Sequence, residues 1–169
     1  MNDKLYRTIW EITRLLLFRP FSGQLFRPWR AFILRLFGAQ IATSAHIYAS
    51  ARIRSPRKLS MYPHSCLAEG VICYNVAHVC IGAHATVSQR AHLCTASHDI
   101  RQRSHPTISA PIVIRNSAWV AAEAFIGMGV TVGEEAVVGA RAAVFRDVPA
   151  RTVVGGNPAI IISTRTYKS

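Results

Sequence analysis

The chain has 169 residues and a formal net charge of +12; half of it is apolar, yet only 9% is aromatic. With 17% charged residues, eight Pro and ten Gly, it is neither a disordered chain nor a single helical rod. No apolar stretch approaches the roughly 18 residues of a membrane span, and no secretory signal is expected at the N-terminus.

Residues 1–40 hold seven Lys/Arg against two Asp/Glu, a net of +5, with eight of the fifteen aromatics and no Val. This segment predicts helix. Leu5, Ile9, Ile12 and Leu16 fall at helical spacing, with Arg7, Glu11 and Arg14 away from them. Pro20 and Gly23 interrupt the pattern. A second helix follows Pro28, with Trp29, Phe32, Ile33 and Leu36 as its apolar stripe, Arg27, Arg30 and Arg35 beside it, and Gly38 past its end. Two roles stay open for this basic lead-in. It caps the main domain or a neighbouring subunit, or it rests peripherally on an anionic membrane.

From residue 41 the period is six. Ile41, Ile47 and Ile53 are followed, after a two-residue shift, by Met61, Leu67 and Cys73, and after another by Ile81, Val87 and Leu93. Beyond a long insertion come Ile114, Val120, Ile126, Val132, Val138 and Val144. Four residues after each lies a mostly small residue, Ala in nine cases; Ser65, Ser97, Val71, Val130 and Val148 fill five more, and Arg57 departs. This pattern predicts short strands and turns, three to a triangular coil, stacked about 4.8 Å apart as parallel strands. The aliphatic fills the interior and the small residue the corner. Gly82, Gly127, Gly133 and Gly139 follow repeat aliphatics, where a turn favours a residue without Cβ. The shifts all fall after a third unit, so all insertions share one corner. The expected architecture is all-β: about five coils over residues 41–160, a loop inserted at 99–111, and a tail at 161–169. Cys66, Cys73, Cys80 and Cys94 lack CxxC spacing, so free thiols in a reducing cytoplasm are expected.

Ile81-Gly-Ala-His-Ala-Thr86 and Val138-Gly-Ala-Arg-Ala-Ala143 resemble units of the hexapeptide-repeat acyltransferases, which are left-handed parallel β-helices. Asp147-Val-Pro-Ala150 and Gly155-Gly-Asn-Pro-Ala159 resemble that family's last coil. Arg35-Leu-Phe-Gly-Ala39 and Leu93-Cys-Thr-Ala-Ser-His-Asp99 are most similar to the colanic-acid and exopolysaccharide O-acetyltransferases, relatives of the maltose, galactoside and nodulation-factor enzymes. The resemblance covers about residues 30–162. Left-handed coiling comes from it alone, since chain sterics favour right-handed crossovers.

The resemblance implies acetyl transfer from acetyl-CoA directly to a sugar hydroxyl, with His98 as general base, in a cytoplasmic homotrimer. A near-neutral imidazole suits removal of a hydroxyl proton. Its other nitrogen needs an acceptor, either Asp99 or a backbone carbonyl. His78 stands twenty residues before His98, and Glu69 and Asn75 precede the same corner; these three are candidates for the acceptor pocket. Ser97 is expected inside the corner, so no Ser-His-Asp triad is read. Trp119, Ala122, Ala140 and Arg146 correspond to the family's coenzyme A groove, with Arg141, Arg151 and Arg165 as further phosphate candidates. Ile160 stands where the family often has a basic residue.

Other classes fit less well. A zinc enzyme of the γ-carbonic-anhydrase type needs converging histidines, commonly a His-x4-His pair, which this chain lacks; no metal is expected. A non-catalytic β-helix predicts no thioester turnover. No basic stripe with stacking aromatics appears in the repeat, so nucleic acid is not an expected partner.

Overall fold

The structure, a computed structural model, describes residues 2–167. Three parallel sheets form a triangular prism. Face 1 holds Gln40–Ile41, Leu59–Met61, Val79–Ile81, Ile112–Ile114 and Thr131–Val132. Face 2 holds His46–Ile47, Cys66–Leu67, Thr86–Val87, Trp119–Val120, Val137–Val138 and Thr152–Gly155. Face 3 holds Arg52–Ile53, Ile72–Tyr74, His92–Cys94, Phe125–Ile126 and Ala143–Val144. Ile41, Met61, Ile81, Ile114 and Val132 stand in register on face 1, which gives the five expected coils. A partial sixth begins where Val148 bridges Val132. The tail adds a strand: Ile160–Thr164 pairs antiparallel with Thr152–Gly155.

All fifteen repeated aliphatic positions are buried, as are the small residues at the two regular corners. At the third corner Val130 and Val148 are buried as expected, but the first three coils depart from the pattern. Arg57 and Ser97 are exposed and Ala77 is half-buried. The interior place there belongs to Ser55, Asn75 and Thr95, each two residues after the aliphatic. These polar side chains bond the coils to each other. Ser55 N–H donates to Asn75 Oδ1 at 2.9 Å, and Asn75 Nδ2 donates to the carbonyls of Ser55 and Lys58. Thr95 Oγ accepts from Ala77 N–H and donates to the Tyr74 carbonyl.

The repeat glycines serve closeness more than turn conformation. None of Gly82, Gly127, Gly133 and Gly139 has a positive φ; His64, His84, Arg90, Ser117, Glu123, Glu135, Arg141 and Arg151 take that conformation instead. A Cβ on Gly133 would lie 2.5 Å from the Ala150 nitrogen of the next coil. Only hydrogen fits where two coils approach so closely.

Two helices close the N-terminal end, α1 (Asp3–Thr13), extended by a π-helical turn over Arg14–Phe18, and α2 (Arg27–Leu36). Their inward faces are not the expected stripes. Tyr6, Trp10 and Phe18 are buried, while Leu5, Ile9, Ile12 and Leu16 face out; on α2, Arg30, Ile33 and Leu34 are buried, while Phe32 and Leu36 are exposed. The reason lies in the first coil. The residue after each repeat aliphatic donates its N–H to the aliphatic's counterpart in the next coil, as in Ala42 to Met61, Tyr48 to Leu67 and Arg54 to Cys73. The carbonyls of Ile41, Ile47 and Ile53 therefore have no earlier coil to receive from. Arg35 Nε, Arg30 Nε and Trp10 Nε1 donate to these three at 2.8, 2.8 and 2.6 Å. An aliphatic side chain has no donor to offer there. Burial lowers the pKa of Arg30 from the usual arginine value, with Arg27 adding to the effect. Its Nη1 also reaches the carbonyls of Phe21 and Gly23.

Gly133→Ala should cost about 1–3 kcal/mol in chemical denaturation at fixed protein concentration. Gly23→Ala, whose Cβ would have no neighbour closer than 3.8 Å, is expected to be near neutral. Arg30→Met should cost about 3 kcal/mol by leaving buried carbonyls without donors. Arg27→Ala, on the exposed side of the same helix, should change stability by less than about 0.5 kcal/mol.

Candidate active site

The polar corner between face 3 and face 1 is where the chain leaves the prism. After Thr95, Ala96–His98 pairs antiparallel with Thr107–Ser109, so the insertion is a hairpin arm rather than an unstructured loop. Ala110 N–H donates to the Thr95 carbonyl and Ile112 N–H to that of His78, which returns the chain to the next coil.

His98 stands opposite Thr107 at the outer end of the paired segment and is exposed. Its Nδ1 lies 2.6 Å from the His105 carbonyl oxygen. A carbonyl only accepts, so Nδ1 carries the proton and the neutral ring leaves Nε2 with a free lone pair. His105 holds a positive φ of 45° in placing that carbonyl. Of the two acceptors left open by the sequence, the carbonyl takes the imidazole. Asp99 is engaged elsewhere: it accepts from Arg101 Nε at 2.9 Å, from the Arg101 N–H and from Gln102 Nε2. The Arg101 guanidinium holds its carboxyl below the usual carboxylate range. Asp99 secures the hairpin turn.

Beside this arm is a cleft of about 220 Å3. Cys94, Ala96 and Ser97 line it together with Phe125, Met128 and Phe145. Ser97 faces this cleft, not the prism interior. Arg146 follows Phe145 at the same corner and is exposed.

His78 is exposed one coil below the root of the arm. Its Nε2 is 2.9 Å from Ser60 Oγ, which donates to Gln40 Oε1 at 3.2 Å. With the hydroxyl proton given to Gln40, His78 Nε2 is the donor of that pair. Gln40 and Ser60 line a cleft of about 430 Å3 on face 1, with Arg35 and Tyr62. Of these, the sequence marks only Arg35, as part of the lead-in, and none of the four as a site residue. The signal available for Gln40 and Ser60 was their polar place beside Ile41 and Met61, twenty residues apart on the same face.

The remaining candidates divide. Asn75 is fully buried and its amide is consumed by backbone groups, so it is unavailable to a ligand. Glu69 lies at the corner between faces 2 and 3, where its carbonyl accepts from Arg90, and not at the His98 corner. Trp119, on face 2, donates from Nε1 to Ser88 Oγ at 2.8 Å. It borders a cleft of about 320 Å3 with His84, Thr86, Ser117 and Arg165. Arg165 Nη1 is held by the carbonyls of Ser117 and Glu135. Ala122 and Ala140 stack one coil apart at the corner between faces 2 and 3. Within one chain, Arg146 is therefore separated from these four. Arg141 and Arg151 pair with Glu123 and Glu135.

All four cysteines are free, and burial pushes the Cys73 thiol up to about 12. Among the described residues no three His, Cys, Asp or Glu side chains converge as a metal site.

No protein-family model matches the chain. It is 42% identical over 158 residues to the colanic acid biosynthesis acetyltransferase WcaF of Escherichia coli K12, covering 93% of this chain and 86% of that one. It superposes on a hexapeptide-repeat acetyltransferase from Vibrio cholerae in complex with acetyl-CoA, with a TM-score of 0.83, 27% identity, and coverage of 97% and 89%. A galactoside acetyltransferase in complex with coenzyme A shares the fold, with a TM-score of 0.85, 18% identity, and coverage of 97% and 82%. The identity to WcaF across nearly the whole chain, on a left-handed β-helix with a hairpin at one corner, places this protein in the hexapeptide-repeat acetyltransferase family.

Proposed function

We propose that the protein transfers an acetyl group from acetyl-CoA to a saccharide hydroxyl in the assembly of an exopolysaccharide or other cell-surface glycan. The observation that carries the mechanism is the His98 ring, with Nδ1 on the His105 carbonyl and Nε2 free. Nε2 takes the proton of the attacking hydroxyl as the oxygen closes on the thioester carbon. The carbon–sulfur bond then breaks, and the imidazolium returns the proton to the departing sulfur. No acyl-enzyme is needed. The His105 carbonyl keeps the ring oriented throughout, because it accepts from Nδ1 whether or not Nε2 carries a proton.

The donor is proposed to lie in a groove between subunits. His98, Arg146 and the cleft between the arm and Phe145 occupy one corner, while Trp119, Ala122, Ala140 and Arg165 lie on and beside face 2. A homotrimer of parallel prisms brings the corner of one subunit against face 2 of the next, which unites the two sets. The cleft lined by Arg35, Gln40, Ser60 and Tyr62 and reached through His78 is the proposed acceptor side. Its donors suit sugar hydroxyls or an acidic group on the glycan. The Vibrio cholerae protein's complex with acetyl-CoA and the name of the Escherichia coli relative support the donor and the biosynthetic setting. A cytoplasmic location is proposed with it, since acetyl-CoA is the proposed donor.

An acceptor screen tests the reading: thiol release from acetyl-CoA is followed against nucleotide-sugars and oligosaccharide repeat units. Saccharide-dependent release is expected. Its absence with every acceptor supports a non-catalytic β-helix instead. His98→Ala should lower kcat by roughly 10² to 10⁴ and leave the KM for acetyl-CoA little changed. An unaltered kcat removes His98 as the base.

A further inference from the structure

The helical lead-in has two apolar faces, and closing the prism uses only one. Tyr6, Trp10 and Phe18 point inward, while Leu5, Ile9, Ile12 and Leu16 are 54, 40, 53 and 66% exposed. At about 100° per residue the centres of these two faces lie roughly 150° apart. The outer surface continues onto α2. Trp29 Nε1 donates to the Leu17 carbonyl at 2.7 Å, and its ring packs on Phe32 and Phe21. Leu15, Leu25, Phe26, Phe32 and Leu36 are exposed as well. So much apolar surface on one segment marks an interaction site.

We propose that this face docks on the surface of an anionic lipid bilayer, with the helices lying in the plane of the interface. Charge decides for lipid over a second copy of the chain. Lys4, Arg19, Arg27 and Arg35 are exposed on the same segment. Residues 1–40 carry a net of +5 and residues 41–169 a net of +7, so another copy brings net charge of the same sign. Anionic headgroups do, and apolar side chains beside basic ones form the pattern of an interfacial helix. No helix among the described residues is long and apolar enough to cross a membrane, so the contact is peripheral.

Flotation of the purified full-length protein with phosphatidylcholine vesicles, with and without phosphatidylglycerol, tests the proposal. Binding is expected only with phosphatidylglycerol and should weaken as salt is raised. Ile12→Asp and Leu16→Asp, both at exposed positions, should each lower vesicle partitioning about tenfold or more. Arg19→Glu with Arg27→Glu should lower it similarly, at roughly fivefold or more for each charge. Thioester turnover with a soluble acceptor should be unchanged in these variants, which separates this proposal from the catalytic one. Absence of flotation, or equal binding to neutral vesicles, overturns it. So does loss of oligomer mass in light scattering for Ile12→Asp with vesicle binding intact, which assigns the face to a subunit contact.

Discussion

The structure depends on the hydrogen bonds that each coil makes to the next in fixed register. Bonds run both ways between coils: His46 donates onward to Ser65 and Thr86 to Ala118, while His84 donates back to Pro63 and Arg90 to Glu69. A one-residue slip along a strand would turn its aliphatics out to solvent and bring polar residues into the prism. Register can be preserved while chain is added only at a corner. Stacking has a second consequence, because a stack must begin somewhere. The first coil presents the carbonyls of Ile41, Ile47 and Ile53 with no coil before them, and such edges invite pairing with other chains. Arg35, Arg30 and Trp10 satisfy these three carbonyls from two helices.

The site follows from the same constraint. Only one corner accepts additional residues, and there the interior of the first three coils changes from Ala and Val to Ser55, Asn75 and Thr95. These side chains take over bonding that a regular turn supplies elsewhere, so the chain can swing out and return. Thr95 stands at the exit, receives Ala110 N–H at its carbonyl, and ties Tyr74 and Ala77 of the coil below. The arm then carries His98 on a paired strand, with its Nδ1 partner supplied by the facing side of the hairpin. A side chain proposed as a base is placed more accurately on such a strand than on a free loop.

Much of this is legible in the sequence, because a six-residue aliphatic period is a local signal. The fifteen interior residues, the five coils and the corner of the insertion can all be read from it, whereas His98, expected at the root of the insertion, stands at the outer end of the arm's paired strands. The rest depends on contacts between coils. Reading four residues past each aliphatic puts Ser97 inside the third corner, where Thr95 stands, and leaves Asn75 free for a ligand. The clue was the polar series Ser55, Asn75, Thr95 at a spacing of twenty. The helices are only partly legible for a different reason. Aliphatic periodicity marks Leu5, Ile9, Ile12 and Leu16 as one apolar stripe without saying what it faces, and the end of the prism requires donors as well as apolar surface. Trp10 and Arg30 supply them, and Tyr6 bonds the Phe37 carbonyl. Glu69 illustrates a limit of spacing alone: its distance from His98 along the chain does not reveal that a corner lies between them.

The account rests most directly on the proton of His98. Nitrogen-15 NMR of histidine-labelled protein, assigned through a His98→Gln variant, reads which ring nitrogen carries it in the neutral form. The expected result is a protonated Nδ1 and an unprotonated Nε2. A proton on Nε2 would contradict the account, because the nitrogen facing the acceptor would then have no lone pair with which to act as a base.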